Sequence, residues 1–229
     1  MTPEQIAQHF ADPDAVARYP EGPPRFVPGF FDIHRMASVL LRERVPADAR
    51  LLVLGAGGGL ELRSWAAANA HWRFVGVDPS AEMLSLAQKM VGDAADRVEL
   101  AQGHIDDAPS GPFDGAACLL TLHFLDRAER LRTLGEIRRR LVPGAPFVAA
   151  HSSFPQHAEE RPQWLARYMN FAIAGGADPA GAEQGRQTVE QSLTLLDPSE
   201  DEQLMREAGF TNVTPFYAAF TWRGWVAYA

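Results

Sequence analysis

The stretch Leu51-Leu52-Val53-Leu54-Gly55-Ala56-Gly57-Gly58-Gly59 carries the sharpest chemical signal in the chain. Four apolar residues running into glycines predict a buried strand that ends in a tight turn. Without side chains the backbone can be approached closely by a ligand, and the amides opening the next helix can donate to it. This suits a nucleotide-like ligand, although glycine also serves a bend that merely requires positive φ. Asp78 stands 23 positions after Gly55, at the end of the next strand. An acid there can accept both hydroxyl protons of a ribose in the crevice at the strand ends. Its plainer role is to cap the helix that begins near Ser80. A dinucleotide fingerprint needs a small residue at the last position of G-x-G-x-x-G, and Leu60 stands there, so a pyrophosphate would be poorly served. His123 and His151 follow the fourth and fifth predicted strands, where ligands of open α/β sheets bind, and both are candidate general bases. Their plainer reading is a hydrogen bond to loop backbone. No Gly-x-Ser-x-Gly elbow supports a serine nucleophile.

These residues need a scaffold, and the hydrophobic pattern predicts one. Strands are expected at Arg50–Leu54, Arg73–Val77, Val98–Gln102, Gly115–Leu120 and Phe147–Ala150. Helices are expected at Ile33–Arg44, Leu60–Asn69, Ala81–Val91 and Arg127–Leu141. Strands separated by helices force parallel pairing with crossovers, hence a doubly wound α/β fold with a sheet covered on both faces. One domain over 1–229 is expected, with a Pro- and Gly-rich arm or lid over 1–35. Residues 154–190 read as a helical insertion of one or two helices around a glycine-rich loop. A helix over Glu200–Ala208 then stops at Gly209. Strands Val213–Phe220 and Trp225–Tyr228 are expected to be joined by a tight Trp222-Arg223-Gly224 turn.

Composition narrows the function. A hydrophobic share of 46% with 22% charged residues is that of a globular protein. A net charge of -8 argues against direct nucleic-acid binding, which draws on clustered Lys and Arg. The one arginine run, Arg138–Arg140, closes a predicted helix, where cations meet the negative end of its dipole. No stretch approaches the roughly 18 apolar residues of a membrane span, and no signal-like start is present, so a cytoplasmic protein is expected. The single cysteine, Cys118, lies in an apolar run and reads as a buried structural thiol.

Gly55–Gly59, the strand end Val75-Gly76-Val77-Asp78-Pro79-Ser80 and Phe113-Asp114-Gly115 resemble motifs of class I S-adenosylmethionine-dependent methyltransferases. The resemblance spans roughly residues 30 to 229 and includes the closing Ala208–Val213 and the final hairpin. It implies a Rossmann-like, mostly parallel seven-stranded sheet of order 3-2-1-4-5-7-6 with an antiparallel last strand. It further implies that Gly55, Ala56, Gly57 and Gly59 meet the methionine part of S-adenosyl-L-methionine, that Asp78 holds its ribose, and that His104 and Ile105 flank its adenine. Phe30, Pro79, Met83, Leu119 and Leu120 complete that pocket. Two positions depart from the family: Val53 and His104 stand where acids are common. His104 with Asp106 and Asp107 occupies the adenine region, so no metal site is expected.

Within the family, Val27-Pro28-Gly29-Phe30, Thr121–Asp126 and the Phe216–Tyr228 ending look like bacterial carboxy-S-adenosylmethionine synthases, which serve wobble-uridine modification in transfer RNA. By that likeness Phe30 replaces a tyrosine, Leu119 replaces an asparagine, and an arginine for the extra carboxylate is missing near Leu204. A carboxylate without a cationic partner is disfavoured in a closed pocket. The resemblance therefore implies a relative that uses ordinary S-adenosylmethionine, yields S-adenosyl-L-homocysteine and methylates a small molecule. A carboxy-S-adenosylmethionine synthase and a non-catalytic binding module remain the alternatives. The acceptor pocket is expected to draw on Phe30, Phe31, His34, Phe154, Trp164, Arg167, Tyr168 and Phe171. The helical spacing of Trp164, Tyr168 and Phe171 fits the buried face of a cover helix equally well. The sequence leaves a homodimer open.

Overall fold

The structure, a computed structural model, describes residues 12–229. Seven strands form one sheet: β1 (Arg50–Leu54), β2 (Arg73–Asp78), β3 (Val98–Gln102), β4 (Gly115–Leu119), β5 (Pro146–Ser152), β6 (Thr211–Ala219) and β7 (Trp222–Tyr228). Their order is β3-β2-β1-β4-β5-β7-β6, with β7 antiparallel to both neighbours and the first five parallel. This is the doubly wound sheet expected from the alternating pattern. Successive strand residues face opposite sides of a sheet, so each buried strand feeds two cores. Leu51 and Val53 pack with Trp65, Leu41 and Val148 on one face. Leu52 and Leu54 pack with Val75, Phe147, Ile137 and Trp225 on the other.

Among the described residues three α-helices, α1 (Pro13–Arg18), α2 (Pro23–Phe26) and α3 (Phe30–Arg42), precede the sheet. The crossovers are α4 (Leu60–Ala68), α5 (Ala81–Val91) and α6 (Arg127–Arg139), and α7 (Arg161–Ala174) with α8 (Pro179–Ser192) fill the expected insertion. The last helix is α9 (Pro198–Glu207). Side-chain caps fix several starts: Ser80 accepts from Met83 N at α5, Asp126 from Glu129 N at α6 and Asp178 from Gly181 N at α8. Asp197 and Glu200 form a reciprocal capping box at α9.

The terminal hairpin corrects one expectation. Trp222, Arg223 and Gly224 are not a turn but the first residues of β7, paired with Ser152, His151 and Ala150 of β5. The chain reverses one step earlier, at Phe220 (φ 50) and Thr221. Trp222 is 8% exposed, and its burial outweighs the turn preference of the glycine beside it. Pro215 is accommodated because β6 is an edge strand with bulges on either side of it.

A buried ionic cluster ties α6, β5 and α9 together. Arg130 is fully buried and donates to Asp201 Oδ1 at 2.6 Å and to the Thr194 carbonyl at 2.6 Å. His151 Nε2 lies 3.1 Å from the other Asp201 oxygen. Burial alone would raise the Asp201 carboxyl, but His151, Arg130 and Ser153 outweigh it and hold it at about 2. Removing one partner of such a pair strands the other charge without solvent. Asp201→Ala is therefore expected to lower unfolding stability by roughly 3–5 kcal/mol, measured by chemical denaturation at pH 7. A depressed carboxyl stabilises the fold above its ordinary range and loses that contribution as pH falls through its folded value. In wild type the cluster's contribution is accordingly expected to persist at pH 5 and to fade between about pH 4 and 2, a dependence Asp201→Ala should lack.

Candidate functional site

The glycine turn leaves β1 stitched to β2. Gly55 and Ala56 donate to the Val77 carbonyl at 2.8 and 3.0 Å, and Gly57 N donates to Asp78 Oδ2 at 2.9 Å. Ser80 N donates to Asp78 Oδ1 at 3.0 Å, while the Ser80 side chain supplies the α5 cap that sequence alone could have given to Asp78. Burial raises the Asp78 carboxyl, and the Ser80 and Gly57 amides together with nearby His104 oppose the rise. Two glycines here are required by space as well as by φ. A Cβ at Gly55 (φ 72) would collide with the Thr121 side chain, and one at Gly59 (φ 75) would lie 2.8 Å from Ala87 Cα.

Above this turn, at the C-terminal ends of β1, β2 and β4, lies a cavity of about 480 Å³. Toward β2 and β3 its wall holds Asp78, Pro79, Met83, His104 and Ile105, with Gly55 and Gly57 at the turn. Toward β4 it holds Leu119, Leu120, Thr121, His123 and Phe124. Tyr19, Phe26 and Val27 of the arm, Tyr168 of α7 and Trp222 of β7 close it. The arm is pinned by the terminal hairpin: Trp222 Nε1 donates to the Phe26 carbonyl at 2.9 Å, and the Tyr217 hydroxyl donates to the Pro28 carbonyl at 2.5 Å. Phe26 stacks on Tyr168 with centroids 5.3 Å apart. Leu120 adopts φ 56, a conformation that costs a non-glycine residue about 1–2 kcal/mol and that bends the chain from β4 into the cavity wall.

Ten of the residues singled out in the sequence line this cavity: Gly55, Gly57, Asp78, Pro79, Met83, His104, Ile105, Leu119, Leu120 and His123; Tyr168 joins them from the acceptor set. The others lie elsewhere. Ala56 and Gly59 are packed beneath the turn. Phe30 is buried in the core, edge-on to His34. His34 is itself buried, its ring held near 4 by that burial, and its carbonyl accepts from Trp65 Nε1. Phe154 is wholly in the core, Phe31 is 63% exposed, and Arg167 covers the face of Trp164 away from the cavity lining. Phe171 packs toward Phe220. Leu204, where an arginine for a carboxylate was looked for, is buried in the core on α9.

The two histidines separate. His151 is fully buried within the Arg130–Asp201 cluster and does not reach the cavity. His123 does line it, but its Nδ1 accepts from Ser152 N at 3.1 Å. A ring nitrogen facing an N–H carries no proton, so the neutral ring bears its proton on Nε2. Burial, then the charges of His151 and Arg130, push its pKa well below the ordinary value. His123 is thus a hydrogen-bond donor rather than a general base. Sequence reasoning missed Tyr19 and Phe26, which lie in short helical turns of the Pro- and Gly-rich arm, did not single out Thr121 as a site residue, and lost Trp222 to the turn assignment. Arg132, at the rim, is tied to Glu129 at 2.6 Å and Asp106 at 2.9 Å.

Residues 52–147 match a family model described as a methyltransferase domain. A carboxy-S-adenosyl-L-methionine synthase of Pseudomonas putida is 26% identical to this chain, covering 98% of it and 94% of that protein. Among solved structures, PigF with SAH has a TM-score of 0.68 at 17% identity, covering 97% of this chain and 61% of that one. Human N-acetylserotonin methyltransferase in complex with SAM has a TM-score of 0.65 at 12% identity, covering 100% and 59%. This chain thus spans about three fifths of the length of those two structures, and the likeness to them is one of fold.

The His123 ring is expected to stay neutral from pH 5 to 8, with its Hε1 proton resonance flat across that range. A titration centred near its ordinary value of about 6.5 would contradict the buried donor. Because the unfolded ring takes up a proton that the folded ring refuses, this residue should lower stability as pH falls below about 6.5.

Proposed function

We propose that this chain, similar over residues 52–147 to a methyltransferase domain and over nearly its whole length to carboxy-S-adenosyl-L-methionine synthases, is a class I S-adenosylmethionine-dependent methyltransferase that methylates a small, largely apolar molecule. The observation that carries the proposal is the single cavity wall shared by two unlike regions: a polar end at Asp78 and the glycine turn, and an apolar end at Phe26, Phe124, Tyr168 and Trp222. The polar end fits the cofactor. Gly55 and Gly57 expose backbone to its methionine part, Asp78 offers the outer lone pairs of two anchored oxygens to ribose hydroxyls, and Met83 and Ile105 flank the place of the adenine.

When bound, S-adenosylmethionine supplies an electrophilic methyl group on a sulfonium. The task left to this chain is alignment and the removal of water, since in-line displacement depends chiefly on positioning. Phe26, Tyr168 and Trp222 roof the apolar end, and the arm's hydrogen bonds to the hairpin hold that roof in place. His123 donates its Nε2–H into the same space, so an acceptor that carries a hydrogen-bond-accepting oxygen or nitrogen beside the methylated atom is favoured. Burial keeps the Tyr168 phenol protonated, so it too is a donor rather than a base.

The likeness to carboxy-S-adenosyl-L-methionine synthases supports a second reading, in which the ligand carries an added carboxylate. Against it, Arg132 is the one arginine in the described cavity wall, and two acids already engage it. A buried carboxylate would need a cation of its own.

Calorimetry with S-adenosylmethionine, S-adenosylhomocysteine and NADH tests the proposal. Micromolar binding of the first two and none of NADH is expected; binding of NADH alone would overturn it. Asp78→Ala should weaken S-adenosylhomocysteine by ten-fold or more, since about 1.5–3 kcal/mol attaches to a hydrogen bond with a charged group. Mass analysis of ligand carried through purification distinguishes the second reading by the mass of the extra carboxylate.

A further inference from the structure

Two polar side chains open into the apolar end of the cavity without partners of their own. His123, 3% exposed, and Tyr168, 8% exposed, both line it. Among the described residues neither His123 Nε2 nor the Tyr168 hydroxyl has a hydrogen-bond partner, and neither atom is sealed in the core. Both rings pack against Trp222, at centroid distances of 5.8 and 6.4 Å, and Phe26 stacks on Tyr168. The frame around the two groups is therefore aromatic and suits a planar ring. Each group is held as a donor. The Ser152 amide occupies His123 Nδ1, which leaves the proton on Nε2. Burial first, and then His151 of β5 and Arg130 of α6, keep a second proton off that ring, outweighing Asp201 of α9. Burial likewise keeps the Tyr168 phenol protonated. The acids at the rim, Glu129 and Asp106, are held by Arg132.

Resting on the methyl-transfer reading above, we propose that the acceptor is an acidic, ring-conjugated hydroxyl that arrives as its anion, with His123 Nε2 and the Tyr168 hydroxyl donating to the oxygen that bears its charge or to one conjugated with it. A hydrogen bond to an ionised oxygen is roughly twice as strong as one to a neutral oxygen. Two donors therefore bind a phenolate better than its phenol and shift the ionisation toward the phenolate. The protein then has no proton to remove. A lone pair of the oxyanion forms the bond to the methyl carbon as the carbon–sulfur bond breaks, and the electron pair of that bond passes to sulfur. An anion and a sulfonium become a neutral ether and a neutral thioether. Such neutralisation is favoured where water is excluded, since the charges that solvation would have stabilised are the ones that disappear. The same donors hold the uncharged ether less tightly, which eases its release.

The test is absorption spectroscopy of 4-nitrophenol, whose phenol and phenolate differ in colour, titrated with protein saturated with S-adenosylhomocysteine. At pH 6, where the free probe is mostly neutral, wild type should bring out the phenolate band, with the phenolate bound about ten-fold more tightly than the phenol. Tyr168→Phe keeps the ring and loses the hydroxyl. It should reduce that preference several-fold and bind S-adenosylhomocysteine as wild type does, which also shows that it is folded. A probe bound as the neutral phenol, or an unchanged preference in Tyr168→Phe, overturns the inference. The second readout, on wild type alone, is methyl transfer from S-adenosylmethionine to phenol, 4-chlorophenol, 4-cyanophenol and 4-nitrophenol as a function of pH. Because kcat/KM reports the ionisation of the free reactants, its midpoint should move to lower pH as the phenol becomes more acidic. A midpoint common to all of them marks a base on the protein and overturns the inference. Wild type that binds S-adenosylhomocysteine but fails to bind or to methylate any of these phenols also overturns it, and leaves the cofactor reading standing. Failure to bind S-adenosylhomocysteine removes the cofactor reading and the inference with it.

Discussion

The site depends on one junction, where the C-terminal ends of β1 and β2 are sewn together around Asp78. Gly55 and Ala56 donate to β2, Gly57 donates to the Asp78 carboxylate, and Ser80 holds its other oxygen. Strands side by side in a parallel sheet end at the same level, so their terminal amides and carbonyls would otherwise be left without partners. Here they pair with each other and with one acid, which fixes the acid's orientation before any ligand arrives. The glycines are what permit it, because Thr121 and Ala87 already occupy the space that side chains would take. Polar groups held in place by the fold need no reorganisation on binding, and that preorganisation is where affinity is gained.

The opposite half of the sheet solves a different problem. The Arg130–Asp201–His151 cluster places three ionisable groups out of water, which costs solvation unless each finds a partner. Arg130 reaches Asp201 and two carbonyls, so one guanidinium gathers α6, α9 and the segment leading into α9. That assembly sets the level of β5 and of Ser152, whose amide then dictates the protonation of His123. The cluster itself does not line the cavity, but its His151 ring lies 6.5 Å from that of His123, which does.

The roof of the cavity is made from parts distant in sequence. Phe26 and Pro28 belong to the arm, Tyr217 and Trp222 to the last hairpin, and two hydrogen bonds join them. Because these bonds use backbone carbonyls of the arm, they fix its path without prescribing its side chains. Tyr19 and Phe26 lie against the turn and Tyr168, respectively.

Much of this was legible in the chain. Apolar runs alternating with helical periods dictated a doubly wound sheet, since parallel neighbours require crossovers, and the glycine turn with Asp78 marked its working edge. The half of the cavity around the glycine turn came with them, because those residues follow strands directly and a strand's end has one location in such a sheet. The aromatic half did not. Phe31, His34 and Phe154 share an aromatic or titratable character with Tyr168, but which side chain turns inward depends on how α3, α7 and the hairpin settle, and composition holds no record of that. Glu61 shows the same limit: an acid in the first turn of a helix reads as a partner for the helix dipole, and only packing makes it a buried carboxylate. His123 and His151 look alike in sequence, each following a strand. The fold separated them, closing one into an ionic cluster and aiming the other at the cavity, because neighbours brought from β5 and α9 set their hydrogen bonds.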